Sequence, residues 1–184
     1  LVDEQIPVGD PYCEKILDRR FDPAISARTY PHLAAFPENA RGHIVSVLQP
    51  GKATYPWQLT DFQRPDPENL LIYELLVRDF TAAGNYQSLT QALPHLRQLG
   101  VNAVELLPVS EFSGNDSWGY NPTFFFAPDK AYGPAHELKR FVGECHRADI
   151  AVILDVVFNP ADFEFPYVKM YWDGTRPSAG SPMF

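Results

Sequence analysis

The chain has 184 residues, 45% of them apolar and 21% charged, with a formal net charge of −8. That apolar share excludes a disordered tail, and the acidic excess argues against a nucleic-acid partner, whose phosphate backbone it would not neutralise. Cys13 and Cys145 cannot form a disulfide framework, and no apolar run reaches the roughly 18 residues of a membrane span.

Residues 1–69 hold 9 of the 18 prolines. Asp10-Pro11, Asp22-Pro23, Tyr30-Pro31 and Phe36-Pro37 each push the residue before proline toward an extended backbone. This region reads as extended segments and turns, with one strand over 42–48 that ends at Pro50-Gly51. It is too irregular for a complete domain, and its first residues suit the end of a strand whose partners lie upstream. Asp3 and Glu4 read as solvated surface. The polar, proline-bearing stretch 61–69 suits a linker.

From residue 70 the pattern changes. The run from Leu70 to Val77 is nearly continuous in apolar residues, the mark of a strand buried on both faces. Ser88-Leu89-Thr90-Gln91 fits a capping box. Leu89, Ala92, Leu93, Leu96 and Leu99 follow at helical spacing, with Gly100 as the stop and Pro94 as an expected kink. Val101 to Leu107 is a second apolar strand. Gly133-Pro134 opens another helix with proline at its first position, and Leu138, Phe141, Val142, Cys145 and Ala148 form its stripe. Ile150 to Val157 is a third strand, interrupted by Asp155.

Strand, helix, strand, helix, strand with apolar strands points to parallel βαβ units joined by right-handed crossovers. A doubly wound sheet and a (β/α)8 barrel both satisfy that order. No G-x-G-x-x-G follows a strand, which argues against a dinucleotide site. Zinc-type histidine spacing and a G-x-S-x-G elbow are likewise missing from the sequence.

Either architecture places ligands at the carboxyl ends of the strands. The loop from Pro108 to about Gly133 far exceeds the usual ~2–6 residues of a βα loop, so it is expected to be functional. Within it Trp118 and Tyr120 flank Gly119. Their rings either pack the loop onto the sheet or lie against a sugar face. Asp155 requires a partner if buried. It is either ion-paired, with Arg78 as the candidate, or a site carboxylate. Asn159 is a turn residue or a metal or ligand contact.

Four segments together resemble the α-amylase family of glycoside hydrolases, family thirteen. Gly100-Val101-Asn102-Ala103-Val104-Glu105-Leu106-Leu107-Pro108 resembles its second-strand motif, and Asp116-Ser117-Trp118-Gly119-Tyr120-Asn121-Pro122 its substrate-stacking loop. Phe126 to Gly133 resembles the segment that follows, and Asp155-Val156-Val157-Phe158-Asn159 the third-strand motif. The resemblance implies an incomplete (β/α)8 barrel, about the first three βα units over 64–184. Before it, residues 1–63 would be the tail of a β-sandwich domain and a linker. It implies that Tyr120, with Trp118 beside it, stacks on a sugar, that Asp155 binds that sugar's hydroxyls, and that Asn159 occupies a position that binds calcium in many members.

The implied partner is an α-glucan or maltooligosaccharide, and the implied reaction a retaining glycoside hydrolysis or transfer. The resemblance carries no catalytic residue onto this chain, because the family's nucleophile and acid lie on later strands. Pro160 replaces the histidine that closes the third-strand motif, and Asp149 stands where relatives often have glycine. The expectation is therefore a piece of a longer enzyme, inactive alone, or a glucan-binding pseudoenzyme. Its sheet would have open edges through which two copies could pair.

Overall fold

The computed structural model describes Val2 and residues 5–182; Asp3 and Glu4 lie outside the described residues. The N-terminal region runs as turns and extended chain around two short strands, β1 (Ile16–Asp18) and β2 (Ile44–Ser46). They pair antiparallel with Leu17 opposite Val45. The expected strand over 42–48 is thus present but shorter, with β1 as its partner among the described residues.

Residues 61–69 lead into β3 (Ile72–Leu75) and a single helical turn, α1 (Val77–Phe80). Two short helices follow, α2 (Tyr86–Gln91) and α3 (Leu93–Gln98). Their break at Ala92 is the expected effect of Pro94, which sits in the first turn of α3 where its missing N–H costs nothing. The cap lies three residues earlier than the sequence pattern suggests. Asn85 is the N-cap and accepts from the Ser88 amide at 2.9 Å, while Ser88 reaches back to the Asn85 amide. Gly100, at φ +74°, ends α3 in the left-handed conformation.

Next come β4 (Ala103–Leu106), then β5 (Ser110–Phe112) and β6 (Pro122–Pro128), then α4 (Ala135–Arg147), β7 (Ala151–Leu154) and α5 (Pro166–Met170). Pro134 is the N-cap of α4, one position before the expected site. Asp149 adopts φ +58° beyond its end. The Ile150 amide then reaches the Cys145 carbonyl and the Asp149 amide that of His146, the paired bonds of a Schellman stop.

The strands β3, β4 and β7 form one parallel sheet in that order, with Leu75 opposite Leu106 and Leu106 opposite Leu154. One face is closed: Leu75, Val104 and Leu106 join Leu89, Leu96, Leu138 and Phe141 of the helices in the main core. Each fully buried side chain of this kind stabilises by about 1.5–3 kcal/mol. The expectation of strands buried on both faces fails. Ile72 is 46% exposed because the described helices cover one side only, and Leu154, in the covered row, is 47% exposed at the end of the edge strand β7. The row Glu74, Glu105, Ile153 alternates with the core row and so faces the other way.

The long segment after β4 is not irregular. Its strands β5 and β6 form an antiparallel hairpin with register shifts at Glu111. Phe124 and Ala127 of β6 share a second small core with Cys13 and Ile16. The N-terminal region therefore packs directly on the hairpin, across the boundary expected at 63/64.

Candidate functional site

The parallel strands point their carboxyl ends toward three loops, and two of these meet. Asp155 follows β7 directly, and its amide donates to the Leu106 carbonyl at 2.9 Å, prolonging the ladder by one residue. Its carboxylate accepts a hydrogen bond at 2.5 Å from the Tyr120 hydroxyl, delivered by the loop between β5 and β6. That bond and the adjacent negative charge push the Tyr120 phenol up to about 12, so it stays a donor at neutral pH. Among the described residues no hydrogen bond reaches the second carboxylate oxygen, Oδ1.

The loop is fixed so that Tyr120 reaches this place. Gly119 has φ +91°, and a Cβ there would stand 2.3 Å from the Pro108 carbonyl oxygen. Only glycine lets the chain press so close to the end of β4. The Gly119 amide donates to Ser117 Oγ at 3.0 Å, and Ser117 in turn bonds Asn121. Arg78 of α1 holds the loop from the side through an ion pair with Asp116. Arg78 also binds Asp79 at 2.6 Å and does not touch Asp155, so the ion-pair alternative for Asp155 does not hold.

Tyr120 is 39% and Trp118 64% exposed. Trp118 stacks on no other ring among the described residues, and most of its surface is open. A tyrosine tethered by its hydroxyl, with its face partly open beside a carboxylate, can receive an apolar ring face and accept hydroxyl hydrogen bonds. Asn159 lies four residues beyond Asp155, exposed, in a bend. Calcium takes about six to eight oxygen ligands. No group of three His, Cys, Asp or Glu side chains gathers for a metal among the described residues. The residues at Asn159 do not by themselves fit a calcium site.

Sequence reasoning missed the polar cluster beneath the loop. Glu111 of β5, Asp129 and Lys130 are 4%, 1% and 3% exposed. Lys130 Nζ lies 2.5 Å from Glu111 Oε1 and 3.4 Å from Asp22 of the N-terminal region. Asp129 accepts from the Phe112 amide at 3.2 Å and the Ala131 amide at 2.7 Å. Burial, with the neighbouring carboxylates, pushes Glu111 up to about 8 and Asp129 up to about 6, against the pull of Lys130. Burial opposes the Lys130 charge as well, but Glu111, Asp22 and Asp129 overcome it and raise its value. A second pairing links Arg20 to Asp18 and to Glu164, both at 2.7 Å. The only sequence signal for this cluster was an Asp-Lys pair in an aromatic stretch, and such pairs usually sit in solvent.

Comparison with known proteins gives the same picture. A family model described as the alpha amylase catalytic domain matches residues 53–176. A malto-oligosyltrehalose trehalohydrolase of Saccharolobus solfataricus is 32% identical over 165 residues, covering 90% of this chain and 28% of that protein. A crystal structure from Salmonella typhimurium, assigned as an alpha amylase, superposes with a TM-score of 0.68 at 26% identity. It covers 95% of this chain and 26% of that one. A streptococcal pullulanase in complex with maltotetraose has a TM-score of 0.66 at 22% identity, covering 89% of this chain and 24% of its own. The chain spans about a quarter of the length of these relatives. Their likeness resolves the fold in favour of the first three βα units of a (β/α)8 barrel over a doubly wound sheet. Among the described residues no helix is long and apolar enough to cross a membrane.

Proposed function

The chain belongs to the α-amylase family, and from that premise we propose that it is part of a retaining glycoside hydrolase acting on α-glucans. The observation that carries the reading is the hydrogen bond from Tyr120 to Asp155 at the carboxyl ends of the strands. On this reading Tyr120 offers its ring face to a glucose unit, Trp118 extends that aromatic surface, and Asp155 accepts from the sugar hydroxyls through its outer oxygen. Residues 1–63 are the tail of a β-sandwich domain and its linker, a reading supported by the antiparallel pair β1–β2. The open edges β3 and β7 are where two copies would pair. Asn159 would give a calcium ion one amide oxygen, with the remaining ligands coming from elsewhere.

Retaining cleavage needs a carboxylate nucleophile and a carboxylic acid about 5–5.5 Å apart across the scissile bond. Asp155 is committed to Tyr120 and is assigned to substrate binding, not to attack. The reading therefore holds that the 184-residue chain binds glucan without cleaving it. Titration of maltoheptaose into the chain tests this, with reducing ends assayed in the same samples. Binding is expected, weakened about tenfold or more by Tyr120→Ala through the lost stacking surface, and no reducing ends appear. Heats unchanged by Tyr120→Ala would overturn the site. Turnover abolished by Asp155→Ala would overturn the assignment of Asp155.

A further inference from the structure

A cavity of about 300 Å³ opens where the N-terminal region crosses the start of α4. Lysines from three separate stretches line it: Lys15 beside β1, Lys52 after β2 and Lys139 on α4. Lys52 is paired with Glu14. Lys15 and Lys139 have no carboxylate within ion-pair distance among the described residues. Each lies over a tyrosine face instead, Lys15 Nζ 5.0 Å from the Tyr30 ring centre and Lys139 Nζ 5.7 Å from that of Tyr55. The Lys130 ammonium, which also borders the cavity, is already engaged by Glu111 and Asp22.

The cavity therefore gathers three ammoniums against the single carboxylate of Glu14, which engages Lys52 and leaves Lys15 and Lys139 without an ion pair among the described residues, in a chain whose net charge is −8. Like charges that outnumber their counterions repel, and an anion seated among them removes that cost. The first turn of α4 forms one wall, so the positive end of a thirteen-residue helix adds to the same field. The volume lies at the lower end of the roughly 300–1,000 Å³ of small-ligand sites, room for one sugar ring and a phosphate. Tyr30 and Tyr55 supply apolar surface for the ring. Lys15 and Lys52 precede the span matched by the catalytic-domain family, so the cavity is a junction between that domain and what precedes it.

We infer that this junction binds a phosphate group, most fully satisfied as the phosphate of a phosphorylated sugar held by Lys15, Lys52 and Lys139. The inference is independent of the glucan reading, because Tyr120 and Asp155 do not border the cavity. Calorimetric titration of the whole chain with glucose 6-phosphate, inorganic phosphate and glucose tests it. Glucose 6-phosphate is expected to bind and glucose to give no heat. The double variant Lys15→Gln/Lys139→Gln should weaken binding by about tenfold or more, since it removes two charge-assisted contacts. Lys15→Arg/Lys139→Arg should retain it, and Tyr120→Ala should leave it unchanged. Equal affinity for inorganic phosphate would support the phosphate site and assign it to the free ion. No heat with either phosphate, or heats that ignore the glutamine pair while its melting curve matches the parent, would overturn the inference.

Discussion

Two polar constellations hang from the hairpin of β5 and β6. Beneath it Glu111, Asp129 and Lys130 are all at most 4% exposed and meet Asp22 from the N-terminal region. At its tip Tyr120 and Asp155 meet where solvent reaches both, Tyr120 being 39% exposed. The difference is one of dielectric. In the buried cluster each charge depends on its neighbours, and losing one strands the rest. At the rim, water replaces any partner that leaves. The first arrangement fixes the loop on the barrel, and the second leaves a carboxylate and an aromatic face available to a ligand.

The hardest test of that contrast is Lys130→Met. It removes the one ammonium that Glu111 and Asp22 share and leaves buried carboxylates without a countercharge. A loss of about 3–5 kcal/mol is expected, the cost of breaking a buried pair on one side, read as a fall in the urea midpoint. A loss below about 1 kcal/mol would mean that water enters the cluster and that the contrast in burial is only apparent.

How much of this was legible beforehand depended on whether the signal was local. The three strands, the break at Pro94 and the stripe on α4 follow from periodicity and proline chemistry that neighbouring residues carry by themselves. Tyr120 and Asp155 were legible as candidates because glycine beside an aromatic residue, and a carboxylate in an apolar run, are locally anomalous. Their contact spans 35 positions and was not readable from spacing. The Lys130 cluster was hidden for the same reason: Asp22 and Glu111 are remote in sequence, and a lysine is assigned to solvent unless its partners are known. The capping box was displaced to Asn85 because Ser88 suits both the cap and the third position; with Asn85 as the cap the helix starts at the buried Tyr86. The hairpin escaped notice because β5 is only three residues long, β6 begins and ends in proline, and the pair is shifted in register.

A milder perturbation of the cluster is pH. Burial holds the Glu111 carboxyl near 8, above its ordinary 4.5, so between those values the native state keeps a proton that the unfolded chain has released. That stabilisation is fully present below about pH 4.5 and is lost as pH rises through about 8. Asp129, raised to about 6, behaves alike at lower pH. His146, lowered from 6.5 by burial, opposes them below that value, and Glu164, which Lys169 and Arg20 hold down despite burial, acts below 4.5. Above pH 6.5 Glu111 therefore dominates. The melting temperature should fall from pH 6.5 to 8, by less than Lys130→Met costs because Lys130 still compensates. Glu111→Gln should flatten that slope, and an unchanged slope in the variant would assign the titration elsewhere.

The rim should respond least. Tyr120→Phe deletes the hydroxyl and its bond to Asp155 but keeps the ring. Gly119 and the Arg78–Asp116 pair continue to fix the loop without that bond. Asp155, which keeps its backbone link to Leu106, regains water on the freed oxygen. The expected change in urea stability is within about 0.5 kcal/mol, as for a surface substitution that strands no buried group. A larger loss, on the scale of about 2 kcal/mol or more, would mean that the Tyr120–Asp155 pair closes the loop structurally, as the buried cluster does. Asp155 would then be no more available to a ligand than Glu111 is.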